Sequence, residues 1–232
     1  LWNGIRLYQT GHFFGLISSL NPNLAHKINI AKNGTSAFYG DGVSSSVLIS
    51  THTDSIENTK GAIGINLINA DFYTKVKTSN KSNIEISGRR SYTDLVTSPT
   101  YTNYFNKIFQ NTIVTNYFDN QSIKYNSDED FYFYDFTAQY HQKIKQKTDL
   151  FVDILSISNV LDVLQTKTEN SITTSKYSCL EQQTYGANAS LKTDWNTKNS
   201  SEISIYASYY NINSENESIE SNQIFNQENT IF

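Results

Sequence analysis

The sequence predicts a mainly β protein: an antiparallel up-and-down sheet of about six long strands, preceded by a small α+β unit. Three observations carry this. The chain is rich in Ser, Thr, Asn, Tyr and Ile, which favour strands and turns over helix interiors. From Lys60 onward, apolar and polar residues alternate with a period of two. Residues 1–54 lack that regularity and hold six of the ten glycines (Gly4, Gly11, Gly15, Gly34, Gly40, Gly42), the texture of a compact, turn-rich piece.

Composition narrows the class. The 232 residues suffice for one large domain or two small ones. With 10 Gly, 2 Pro and 1 Cys, neither a collagen-like chain nor a disulfide framework fits. A formal charge of −4 and the lack of a basic stripe argue against a nucleic-acid partner. No run of 18 apolar residues exists, so no helix should span a membrane, whereas the strands of a transmembrane barrel need only about 9–11 residues. The chain has no Met, and Leu1-Trp2-Asn3-Gly4 reads like mid-strand sequence, as expected of a piece of a longer protein.

In the first unit, Leu1–Leu7 should be a short strand and Tyr8–Phe14, with Gly11 and adjacent aromatics, a loop. Asn21-Pro22-Asn23 and Asn33-Gly34 are turn signals. His26–Ala31 and Val47–Thr51 read as short strands, with one helical turn at Ser36–Tyr39 between them.

The long strands follow. Ile63, Ile65 and Leu67 alternate with small or polar neighbours; the apolar phase then slips by one to Ile68, Ala70, Phe72 and Val76. A β-bulge produces such a slip, and so does a tight hairpin near Asn69. Ile84 and Ile86 mark the next strand; Tyr134, Phe136, Ala138 and Tyr140 the next; Leu150, Val152 and Ile154 the next. Tyr185, Ala187, Ala189 and Leu191, then Ile203, Ile205, Ala207 and Tyr209, complete the set.

The connections alternate in length. Thr78–Asn83, Lys145–Thr148 and Asn196–Ser201 are short; Tyr92–Asp130, Asn159–Glu181 and the stretch after Asn213 are long. One end of the sheet is therefore trimmed and the other carries long loops, the asymmetry of outer-membrane barrels. The polar face carries Tyr73, Tyr206 and Tyr210 among its Lys, Asp, Asn and Gln, a mixture that a lumen accepts. Tyr and Trp near strand ends suit interfacial girdles, although both are also good strand residues.

One stretch is more specific. Lys32-Asn33-Gly34-Thr35-Ser36-Ala37-Phe38-Tyr39-Gly40-Asp41-Gly42-Val43, followed by Val47-Leu48-Ile49-Ser50-Thr51, resembles the end of the plug domain of TonB-dependent outer-membrane receptors. Asn3-Gly4-Ile5-Arg6-Leu7 and Lys27-Ile28-Asn29-Ile30 resemble the plug strands before it. Ile86-Ser87-Gly88-Arg89-Arg90-Ser91-Tyr92 resembles the second barrel strand of such receptors from Bacteroidetes-type bacteria. Lys32, Asn33 and Gly34 stand where the family has Arg, Gly and Pro, and Ser44–Ser46 where it has a glycine pair.

The resemblance implies residues 1–54 as the C-terminal part of a plug and 55–232 as the first strands of a transmembrane β-barrel. It implies active import of a scarce nutrient (siderophore, haem, vitamin or glycan) across the outer membrane of a Gram-negative bacterium. A TonB-type energy-coupling protein would act through a segment not in this chain, and outer-membrane lipid would surround the strands. The rival from another class is a secreted soluble β-sandwich adhesin or binding module.

The resemblance also places the Tyr8–Phe14 loop at the plug apex, making Tyr8, Gln9, His12 and Phe13 candidate ligand contacts; packing beneath barrel loops is the alternative. Arg89 should face inward and Arg90 outward toward lipid head groups. Arg89 could pair with a plug carboxylate such as Asp41 or Asp54, or form a salt bridge within the wall. No enzyme, cofactor or metal site is expected: the four histidines share no ligand spacing, Cys179 has no neighbouring His, and Gly40-Asp41-Gly42 lacks a dinucleotide context. Asp128-Glu129-Asp130 reads as a solvated loop end or a weak cation site.

Overall fold

The computed structural model describes residues 1–24, 27–34, 36–40, 45–52, 58–109, 124–169, 172–218 and 223–231. The N-terminal unit holds two small antiparallel sheets, β1 (Gly11–His12) with β2 (Ile17–Ser18), and β3 (Lys27–Lys32) with β4 (Ser45–Ser50). A short 3-10 turn, Phe13–Gly15, lies between β1 and β2. Leu1–Leu7 is not a strand. Trp2 and Ile5 exchange both backbone hydrogen bonds at 2.8 Å, around Asn3 (φ 45) and Gly4 (φ 86). Two consecutive positive φ values make a mirror-image turn, which Asn-Gly tolerates best, and the chain reverses before a ladder can form. Ser36–Tyr39 closes as a single turn, Tyr39 N–H donating to Ser36 O. Among its described residues this unit holds no α-helix, so only its β content matches the expectation.

The second body is one open antiparallel sheet of eight strands in sequence order. They are β5 (Lys60–Ile65), β6 (Asn69–Ser79), β7 (Ser82–Ser91), β8 (Lys124–Lys145), β9 (Thr148–Glu169), β10 (Ile172–Asp194), β11 (Ser200–Ser218) and β12 (Gln223–Ile231). Eight strands replace the expected six for two reasons. The phase slip at residues 67–68 is a hairpin: Asn66 Oδ1 accepts from the backbone of Ile68 (2.8 Å) and Asn69 (2.9 Å), an Asx turn that divides one predicted strand into β5 and β6. In addition, the chain beyond Asn213 continues β11 and returns as β12.

The three short connections are tight turns as expected. Two of the long ones differ. Most of Asn159–Glu181 is ladder, with Leu161 opposite Leu180, and Asp128–Asp130 lies within β8. The alternation fades there because the inward Leu161 and Val163 are themselves apolar and pack on the Phe13 cluster, while backbone pairing continues wherever a partner strand is in register. The connection Tyr92–Asp130 also holds an unforeseen helix, α1 (Pro99–Phe109). Its signal stood in the sequence: Ser98 Oγ accepts from Tyr101 N–H (3.1 Å) as an N-cap, followed by Pro at the first helical position.

The two faces of the sheet are inverted relative to a soluble protein. Ile63, Val76, Phe136, Ile154, Leu191, Ile203 and Ile205 project outward and are exposed, Ile63 to 91% and Ile205 to 77%. Glu85, Ser87, Arg89, Asp135, Thr137, Gln139, Asp153, Thr184, Asn188 and Ser190 are buried on the other face. The N-terminal unit packs on that polar face. The inward Leu155 and Ile157 of β9 form a seat for Trp2 and Ile5, and the inward Phe131 and Phe133 of β8 join the cluster around Phe13.

Candidate functional site at the contact between the N-terminal unit and the sheet

The contact is built around a few points. At its centre Ile5 enters a hollow over β10. A Cβ on Gly186 would lie 2.2 Å from Ile5 Cγ2, so only glycine admits this approach. Trp2 and Ile5 are fully buried there with Leu155 and Ile157. Beside them Asp153, also fully buried, accepts from Asn3 Nδ2 (3.0 Å), Asn188 Nδ2 (3.1 Å) and His52 Nε2 (2.8 Å). Thr51 N–H donates to Asn3 Oδ1 (2.9 Å), and Thr51 Oγ1 accepts from Gln139 of β8.

At the long-loop end the Tyr8–Phe14 segment makes the contact. Gln9 is buried, donating to Gln182 Oε1 and accepting from Thr184 Oγ1, each at 3.1 Å. His12 is fully buried, stacked on Phe133 with ring centres 3.9 Å apart. Its Nδ1 lies 2.5 Å from Asn159 Oδ1, and its Nε2–H donates to Asp135 Oδ2 (3.1 Å). Phe13 and Phe14 both take left-handed φ values, 49 and 54, uncommon for bulky residues. The bend drives Phe13 into an aromatic cluster with Tyr101, Phe105, Phe131 and Phe133, while Phe14 is exposed. Two of those rings come from α1, which therefore covers the loop. Burial there pushes the Tyr101 hydroxyl up to about 12.

Arg89 faces inward and Arg90 outward, as the alternation predicts. Arg89 Nε donates to Asp135 Oδ2 (2.7 Å) and a terminal nitrogen donates to the Ser18 carbonyl, so the residue serves both the wall and the N-terminal unit. Asp41 and Asp54, the plug carboxylates considered for it, lie outside the described residues. Arg90 pairs with Asp94 through two hydrogen bonds of 3.2 and 2.8 Å and lies over the Tyr132 ring at the upper rim of the apolar face.

Of the four candidate ligand contacts, Gln9, His12 and Phe13 are thus enclosed and Tyr8 is half-buried, stacked on Tyr210 with ring centres 5.3 Å apart. Tyr8 also borders a cavity of about 880 Å³ between the N-terminal unit and β9–β11, walled by Arg6, Phe38, Tyr39, Tyr206 and Ser208 among others. That size is within the range of small-molecule pockets. Asp135, Asn159, Asp153 and Gln182 were not singled out in the sequence. They occupy the inward phase of the alternation, but which inward residues meet another element is a long-range fact. Among the described residues no three His, Cys, Asp or Glu side chains converge to hold a metal ion.

Comparison with known proteins yields no match among protein-family models, curated proteins or solved structures.

Proposed function

We propose that this chain is the part of an outer-membrane active-transport receptor where the plug meets the first barrel strands. Such a receptor would import a scarce nutrient (a siderophore, haem, vitamin or glycan) in a Gram-negative bacterium, energised by a TonB-type protein. One observation carries it: the sheet buries its polar face under the N-terminal unit and exposes its apolar face. A soluble sandwich gains stability by burying apolar surface. A sheet with the opposite preference fits hydrocarbon outside and a polar lumen inside. The outward band supports this in its extent. Along β9 its outward apolar residues Leu150, Val152, Ile154 and Val160 span eleven residues, interrupted by Ser156 and Ser158, and are bordered above by outward-facing Asp162 and the exposed Asp130 beside it. A barrel strand needs about 9–11 residues to cross.

Within this reading, Gln9, His12 and Phe13 fasten the plug in the state seen, and ligand contact falls to Tyr8 and the adjoining cavity. The test uses the full-length protein in a Gram-negative host. Single cysteines at Ala187 or Ile205, in a Cys179→Ser background, should react with a membrane-dissolved thiol probe, and one at Ser204 should not. Labelling of all three by a water-soluble reagent, with the protein secreted, would instead identify a soluble adhesin.

A further inference from the structure

Asn83 on β7 and His141 on β8 are direct cross-strand partners, and both point into the polar contact. They are 3% and 5% exposed. Asn83 Nδ2 and His141 Nδ1 are nevertheless fully buried without a protein partner. Both residues line the same small chamber, bordered by Thr51 and His52 of the N-terminal unit and by the Lys75–Glu85 ion pair (3.0 Å). About 10 Å³ is open there to the centre of a water-sized sphere, which holds one water and not two.

We propose that this chamber is a binding site for a single structural water bridging Asn83 and His141. The chemistry selects water over an ion. His141 Nε2–H donates to Asp149 Oδ1 (2.7 Å), so on a neutral ring Nδ1 presents a lone pair. Asn83 Nδ2 presents N–H. The occupant must accept from one and donate to the other, which water does. An anion would face the imidazole lone pair, and a cation would face the amide hydrogens beside the Lys75 ammonium. A continuous hydrogen-bonded chain results, from Asn83 on β7 through water and His141 on β8 to Asp149 on β9. It joins three neighbouring strands of the wall beneath Thr51 and His52 of the N-terminal unit. Buried polar atoms without protein partners are ordinarily satisfied in this way.

A water at this place is independent of whether the protein transports anything. Its test is a structure of the full-length protein at a resolution that shows ordered water. One peak is expected within hydrogen-bonding distance of both atoms. In Asn83→Leu that peak should be lost while the Gln139–Thr51 hydrogen bond remains. No peak in the wild-type protein, a direct Asn83–His141 hydrogen bond, or a peak that gains anomalous signal after bromide exchange would each overturn the assignment. The wild-type density decides the matter even where the variant fails to fold.

Discussion

Arg89 and Asp135 are direct partners across β7 and β8, joined by a 2.7 Å hydrogen bond with both side chains nearly inaccessible. The same Asp135 oxygen accepts from His12 of the N-terminal unit. One carboxylate on the wall thus holds an arginine of the wall and a histidine of the unit packed on it. Removing one member of a buried pair leaves the other charge uncompensated. Asp135→Ala should therefore destabilise the full-length protein by about 3–5 kcal/mol in denaturant unfolding. It should also loosen the N-terminal unit, read as faster hydrogen exchange at Gly11–Ser18. Arg89→Met with Asp135→Leu should lose less than Asp135→Ala alone.

The apolar face supplies a second prediction. Lys at Ala187 or Ile205 should cost about 2–4 kcal/mol in the membrane-inserted protein, and Lys at Ser204 much less. Asn188 is not a tolerant control despite its polar face, because it is buried and donates to Asp153. Equal tolerance at Ile205 and Ser204 in folding from lipid would count against a membrane setting.

Gly186 gives a packing prediction. A methyl at this position would meet the γ2 methyl of buried Ile5. Gly186→Ala should cost about 1–3 kcal/mol by overpacking. Ile5→Leu, which lacks that branch, should recover part of the loss; no recovery in the double variant would mean the two do not share the hollow.

The α1 helix depends on its cap. Ser98→Ala removes the acceptor for Tyr101 N–H and should cost about 1 kcal/mol. Hydrogen exchange should quicken in Pro99–Phe109 first, since the cap acts on the first turn.

Tyr101 yields a pH dependence. Its hydroxyl is raised from 10.0 to about 12 by burial, so the folded state keeps a proton that the unfolded chain gives up. Stability from this group is full below pH 10.0 and falls as pH rises toward about 12. Alkaline melting curves should show a smaller decline over that window in Tyr101→Phe than in the wild type.

Much of this architecture was legible in the sequence because period-two alternation is a local property. It identified the inward and outward phases, separated Arg89 from Arg90, and located the three tight turns. The Ser98-Pro99 start of α1 was equally local, though it went unread. What alternation could not convey was backbone pairing past the apolar band, where the inward Leu161 and Val163 of β9 and Leu180 of β10 pack toward the Phe13 cluster and break the two-faced pattern. It also could not separate a bulge from a hairpin at residues 66–68, since both shift the phase by one. The contact between the two bodies was beyond sequence reach for a different reason. His12 meets Asp135 and Asn159, and Ile5 meets Gly186, across more than 120 positions of chain. Such pairings are set by how the N-terminal unit docks on the completed sheet, and only the tertiary structure decides them.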